Sequence, residues 1–102
     1  MISIIVPTYN EEDYIESFIK KIHDLKIKNY ELIIVDDSSD NTYFIAKETI
    51  KKLKLKGKII KREERLGKGS AIREGIKAAK GKYLILIDAD LESVSYTHLT
   101  LP

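Results

Sequence analysis

The chain has 102 residues, of which 43% are apolar and 33% charged. That balance suits one soluble globular domain, or part of one, and excludes a disordered segment. Its 18 basic and 16 acidic residues leave a net charge of +2, which gives no drive toward nucleic acid. The absence of cysteine excludes a disulfide framework and thiolate metal sites.

Met1 leads directly into Ile2–Val6, a β-branched apolar run that reads as a buried strand ended by Pro7. No basic leader precedes it, so no signal peptide is expected. Glu11 to Lys26 reads as a helix, with Ile15, Phe18, Ile19, Ile22 and Leu25 in one apolar stripe. Asn10 is the expected cap, and Glu11, Glu12 and Asp13 suit the positive end of the helix dipole. Glu31 to Asp36 is a second buried strand. Ser38 to Asn41 form a turn, and a helix follows to about Leu53. Lys58 to Lys61 is a short strand. Gly67 to Lys80 is a third helix, with Ile72, Gly75, Ile76 and Ala79 on one face, and Gly81 ends it. Tyr83 to Ile87 is the fourth strand. The order is βαβαβαβ, so the expected fold is α/β: a parallel sheet covered on both faces, with right-handed crossovers. No apolar run approaches the length of a membrane span.

Three strand ends carry polar residues: Pro7-Thr8-Tyr9-Asn10-Glu11, Asp36-Asp37-Ser38-Ser39 and Asp88-Ala89-Asp90. In an open parallel sheet these ends share one edge and converge on one crevice. Asp88 and Asp90 flank a small residue, and in extended backbone their side chains point to the same side. Such a pair suits a hard divalent cation held against phosphate oxygens. Asp36 and Asp37 have two readings: hydrogen-bond acceptors for a nucleoside, or caps for loop and helix amides. Taken alone, the pair favours capping.

The segment from Arg62 to Ser70 supplies Gly67, Lys68 and Gly69 at a helix start. It is open to two readings, a turn or a close approach to an anion. It matches neither a P-loop nor a dinucleotide fingerprint. Lys51, Lys52, Lys54, Lys56, Lys58 and Lys61 form a lysine-rich stretch, which reads as a solvated face rather than a phosphate- or lipid-facing patch. His23 reads as a solvated or partly packed histidine. Residues 93–102 contain no charged side chain apart from a histidinium at His98. They resemble translated adaptor sequence, so they are expected to be a non-native tail beyond a domain spanning residues 1–92.

Together, Ile4-Ile-Val-Pro-Thr-Tyr-Asn-Glu11, Ile33-Ile-Val-Asp-Asp-Ser-Ser39, Arg65-Leu-Gly-Lys-Gly69 and Ile87-Asp-Ala-Asp-Leu91 resemble glycosyltransferase family 2. Within it the likeness is to the polyprenol-phosphate sugar transferases, such as the dolichol-phosphate mannosyltransferases. The resemblance implies the Rossmann-like, nucleotide-sugar-binding half of a GT-A fold. It implies a UDP- or GDP-linked sugar donor and a Mg2+ or Mn2+ cofactor. Pro7, Tyr9 and Glu11 would line the nucleotide pocket, with Val35 and Asp37 at the base. Asp88, Ala89 and Asp90 would form the Asp-x-Asp motif, with Asp88 and Asp90 the metal ligands. Lys68 and Arg65 would face the pocket wall or the phosphates.

The reaction implied is transfer of the sugar to an acceptor, with polyprenyl phosphate among the candidates, and with inversion. In this family the acceptor site and catalytic base lie beyond the Asp-x-Asp motif. A truncated, inactive fragment is therefore expected, and the catalytic residues stay unassigned. A cytoplasmic location, or a peripheral one at the cytoplasmic membrane face, is expected; membrane contact would come only through the acceptor or a following segment. The alternatives are a non-catalytic nucleotide- or sugar-binding module and a receiver-like phosphoacceptor domain. The second requires a lysine at a later strand end.

Overall fold

The computed structural model describes residues 1–64, 66–89 and the backbone of 96–100. Asp90 and Arg65, two of the residues singled out above, lie outside this set, as do 91–95 and 101–102.

Strands β1 (Ile2–Thr8), β2 (Tyr30–Asp36), β3 (Gly57–Lys61) and β4 (Tyr83–Ile87) are parallel. Helices α1 (Ile15–Asp24), α2 (Thr42–Lys52) and α3 (Lys68–Ala78) connect them. The sheet order is β3-β2-β1-β4-β5. Strand β5 (Tyr96–Thr100) pairs antiparallel with β4, so the expected tail contributes a strand at this edge. The chain builds outward from β1 through β2 to β3, then returns through α3 to β4 on the other side of β1. The reversal puts a topological switch point between β1 and β4.

Alternation along the strands divides the core. Ile4, Val6, Leu32 and Ile34 pack with Ile15, Phe18, Ile19 and Ile22 of α1 and with Ala46 and Ile50 of α2. On the opposite face Ile5, Ile33, Val35 and Leu84 pack with Ala71 of α3. The parallel sheet is thus covered on both faces, as its continuous apolar strands require. Gly75 lets α3 approach closely: a Cβ there would lie 2.5 Å from Cγ2 of Ile5.

Some element ends differ from expectation for local reasons. Strand β1 continues through Pro7 to Thr8, but the ladder with β4 covers only Ile2–Ile5. Pro7 therefore sits where β1 is paired on one side, a setting that tolerates a missing N–H. Helix α1 starts at Ile15 rather than Glu11, and Asn10 does not cap it; Asn10 adopts φ 52 in the preceding loop. Leu25 leaves the apolar stripe because the helix ends at Asp24, and it is 66% exposed.

At the strand-entry pole, Glu31 is buried at 4% exposure. It accepts hydrogen bonds from the Ser3 hydroxyl at 2.6 Å and the Lys80 N–H at 2.7 Å. Ser3 Oγ in turn accepts from the Gly81 N–H at 2.8 Å. The network joins β1, β2 and the turn into β4 with its polar atoms satisfied.

Candidate functional site

The parallel register of β1 and β2 sets Thr8 opposite Asp36. Asp36 is fully buried and accepts from Thr8 Oγ1 at 2.6 Å, Ser38 Oγ at 2.5 Å and Lys61 Nζ at 3.1 Å. Lys61 also donates to the Ser38 carbonyl and lies 6.0 Å from the centre of the Tyr43 ring. Asp36 is thus a structural carboxylate, fully engaged in holding the ends of β1, β2 and β3 together.

Asp37 has a different partner. Arg62, just past β3, donates from Nε to Oδ1 and from Nη2 to Oδ2, both at 2.6 Å. Arg62 also donates to Ser70 Oγ at 2.8 Å, which carries the link to the start of α3. The Asp37 and Arg62 side chains are 5% and 10% exposed. The hydrogen bonds to Asp37 push the Arg62 guanidinium above its ordinary range, against the opposing effect of burial. Sequence reasoning gave Arg62 no role. Its signal was a basic residue immediately after a strand, one position beyond the residue in register with Asp36.

Two loops close the adjoining part of the edge. The Asn10 N–H donates to Ser38 Oγ at 2.7 Å, and Asn10 Oδ1 accepts from the Ser39 N–H at 3.0 Å. The Glu11 N–H donates to Thr42 Oγ1 at 2.9 Å, and the Asn41 N–H to Glu12 Oε2 at 3.1 Å. Thr42 Oγ1 then donates to Asp40 Oδ1 at 2.5 Å, and the same oxygen accepts the Thr42 N–H at 3.0 Å. Burial alone would raise the Asp40 carboxyl; hydrogen bonds from Thr42 and from neighbouring amides outweigh it and hold the group below its ordinary value. The Glu12 carboxylate, expected at the dipole of α1, and the Glu11 N–H thus instead brace the β1–α1 loop against the β2–α2 loop. Tyr9, 41% exposed, sits at the mouth of this braced segment.

At the other side of the switch point, Asp88 forms an ion pair with Lys68 at the start of α3. Their side chains are 30% and 60% exposed, leaving the pair open to exchange partners. Ala89 faces the other way, buried with the α1 and α2 side chains. Asp88, Lys68, Asp37 and the β1 end thus lie along one edge. Val35, expected at the base, is fully buried under α3 and paired with β1 and β3 on its two sides, so it offers no exposed surface to a ligand. Among the described residues no group of three or more histidines and carboxylates is placed to hold a metal. The half-exposed Asp88 carboxylate, beside a displaceable ammonium, is chemically suited to a hard cation.

The glycosyl transferase family 2 model matches residues 3–96. Over 93 residues the chain is 39% identical to a dolichol-phosphate mannosyltransferase of Pyrococcus furiosus, covering 89% of this chain and 26% of that protein. It superposes with a TM-score of 0.80 and 30% identity on a mannosyltransferase of Pyrobaculum calidifontis in complex with GDP-Man and Mn2+, covering 87% of this chain and 27% of that one. A TM-score of 0.80 and 30% identity also relate it to S. aureus TarS 1-349 in complex with UDP-GlcNAc, with 87% and 26% coverage. The chain spans about a quarter of the length of these proteins. With the family model covering residues 3–96 and the matching fold, the chain belongs to glycosyl transferase family 2.

Proposed function

We propose that this chain is the donor-binding part of a glycosyltransferase that takes a sugar from a nucleoside diphosphate and passes it to an acceptor. The observation that carries the reading is the pairing of Asp88 with Lys68 at the switch point, on the same edge as Asp37 and the β1 end. Ligands of open α/β sheets bind at such a crevice. Similar proteins carry GDP-Man with Mn2+, or UDP-GlcNAc.

The nucleoside would lie toward Pro7, Tyr9 and Glu11, beside the end of β2, where Val35 is buried and Asp37 is held by Arg62. The diphosphate would lie toward Lys68 and Asp88. Asp88, together with Asp90, would hold Mg2+ or Mn2+, which when bound neutralises charge on the departing diphosphate. Lys68 would turn from Asp88 to the phosphate oxygens as the donor arrives. Transfer breaks the bond between the anomeric carbon and the diphosphate oxygen while an acceptor oxygen bonds to that carbon. Polyprenyl phosphate is the acceptor we favour, on the likeness to a dolichol-phosphate mannosyltransferase. Its phosphate oxygen is already anionic and needs no general base.

Calorimetric titration with UDP and GDP, with and without Mn2+, tests the donor site. Metal-dependent binding that Asp88→Ala abolishes supports it; equal binding by wild type and variant overturns it. The 102-residue chain alone is expected to transfer no sugar from GDP-Man to polyprenyl phosphate, and detectable product would refute that part of the reading.

A further inference from the structure

We propose a second ligand site: the cleft between the α1–β2 and α2–β3 crossovers binds a phosphate-bearing anion. It lies at the strand-entry pole, about 23 Å from the donor edge for a seven-residue strand. The cleft has a volume of about 500 Å3 and is lined by Lys26, Lys54, Lys56, His23, Asn29 and Tyr30 over an aliphatic floor. No carboxylate lines it among the described residues.

Charge is segregated along the sheet axis. Among the described residues, the three helix-to-strand crossovers lie at this pole and read Leu25-Lys26-Ile27-Lys28, Leu53-Lys54-Leu55-Lys56 and Ala79-Lys80-Gly81-Lys82. All six lysines are exposed, while Ile27 and Leu55 turn inward. Carboxylates crowd the opposite edge, from Glu11 to Asp88; this pole holds Asp24 at the end of α1 and the buried Glu31, which is engaged by the Ser3 hydroxyl and the Lys80 N–H and feels the charges of Lys58 and Lys56. The net charge of +2 conceals this polarity.

The backbone supplies an independent argument. Lys26 and Lys54 each follow a helix C-cap, Leu25 and Leu53, and adopt φ 52 and 55. Helices prefer glycine at this left-handed position, and a side chain there is strained. The helix dipole accounts for lysines in a last turn but does not require them at the strained position. Asn29, φ 56, lines the same cleft. The site thus combines ammonium charges with a side-chain amide and a phenol. The Tyr30 phenol, protonated at its ordinary value and raised further by burial, is a donor. Point-charge ammonium groups suit a multiply charged phosphate end, carried by a soluble molecule or a lipid headgroup.

The site is separate from the donor edge and does not depend on the donor reading. Its test uses EDTA-treated protein, with sodium pyrophosphate titrated against residue-resolved amide shifts. Saturable shifts at Lys26, Asn29, Lys54 and Lys56 are expected. In the Lys26→Gly/Lys54→Gly double variant the affinity drops about tenfold, while the melting temperature rises because glycine suits both backbones. Lys56→Gln, at ordinary backbone geometry, provides the same loss of affinity by an independent route. In a parallel arm, sedimentation with phosphatidic acid–phosphatidylcholine vesicles, against phosphatidylcholine alone, separates the sources. Vesicle binding lost in the variants assigns a lipid headgroup; pyrophosphate binding without vesicle binding assigns a soluble ligand. Binding to neither, or unchanged binding in the folded variants, overturns the site.

Discussion

Arg62 grips Asp37 through both carboxylate oxygens, with Nε and Nη2 each 2.6 Å from its acceptor. The pair is nearly buried and spans two strand ends, and Ser70 extends it to α3. Removing one member leaves the other charge without compensation. Arg62→Ala is expected to lower stability by about 3 kcal/mol. Arg62→Lys should recover only part of this, because an ammonium cannot form the two parallel hydrogen bonds of the guanidinium. Urea denaturation of both variants checks the prediction.

The Lys68–Asp88 pair should behave differently, because both side chains are open to solvent. Lys68→Ala is expected to change stability by less than about 0.5 kcal/mol. Its nucleoside diphosphate affinity should nevertheless fall by about tenfold, the loss of one charge-assisted phosphate contact. Denaturation and calorimetry on the same preparation separate these effects.

Thr42 joins the two loops beside the site: its hydroxyl accepts from the Glu11 N–H and donates to Asp40. Thr42→Val keeps the shape but leaves that amide and carboxylate without the hydroxyl. A loss of about 1–3 kcal/mol is expected. Amide hydrogen exchange at Glu11 should accelerate in the variant, which locates the damage in the seam rather than the core.

Acid sensitivity follows from Glu31 and Asp40. Burial alone would raise the Glu31 carboxyl, but hydrogen bonds from Ser3 and the Lys80 N–H, aided by the charges of Lys58 and Lys56, hold it below its ordinary value of 4.5. Asp40 is likewise held below 3.8. A depressed folded-state value means that the stabilisation is complete above the unfolded-state value. It is lost as pH falls through the folded-state value. Stability should therefore be flat just above pH 4.5 in respect of these groups and decline below it. Glu31→Gln should flatten part of the decline, as read from melting temperature against pH.

Gly75→Ala tests the approach of α3 to the sheet. Alanine favours a helix over glycine by about 1 kcal/mol, but the new methyl would meet Cγ2 of Ile5 at 2.5 Å. Overpacking should prevail, with a net loss of about 1–2 kcal/mol measurable by thermal denaturation.

Local pattern in the chain determined the alternation of elements, the parallel sheet and the edge on which the polar strand ends gather. The reason is physical: helical stripes and buried strands are written in nearby residues. The same pattern marked Asp88 as a site candidate, whereas Asp37 and Lys68 became candidates through the family resemblance. Tertiary structure alone decided their partners. Asp36 and Asp37 are neighbours with the same chemistry, yet the first is absorbed by Thr8, Ser38 and Lys61 and the second by Arg62. That division depends on the register of β3 against β2, where Asp36 faces Lys61, and no local periodicity encodes it. Likewise, Asn10 has the side chain of a helix cap, but its donors and acceptors are drawn across to Ser38 and Ser39. The strand order, which sets the crevice between β1 and β4, was also decided in three dimensions. Each crossover can add its strand on either side of the sheet; here α3 packs across β1 and β2 and delivers β4 to the far side of β1.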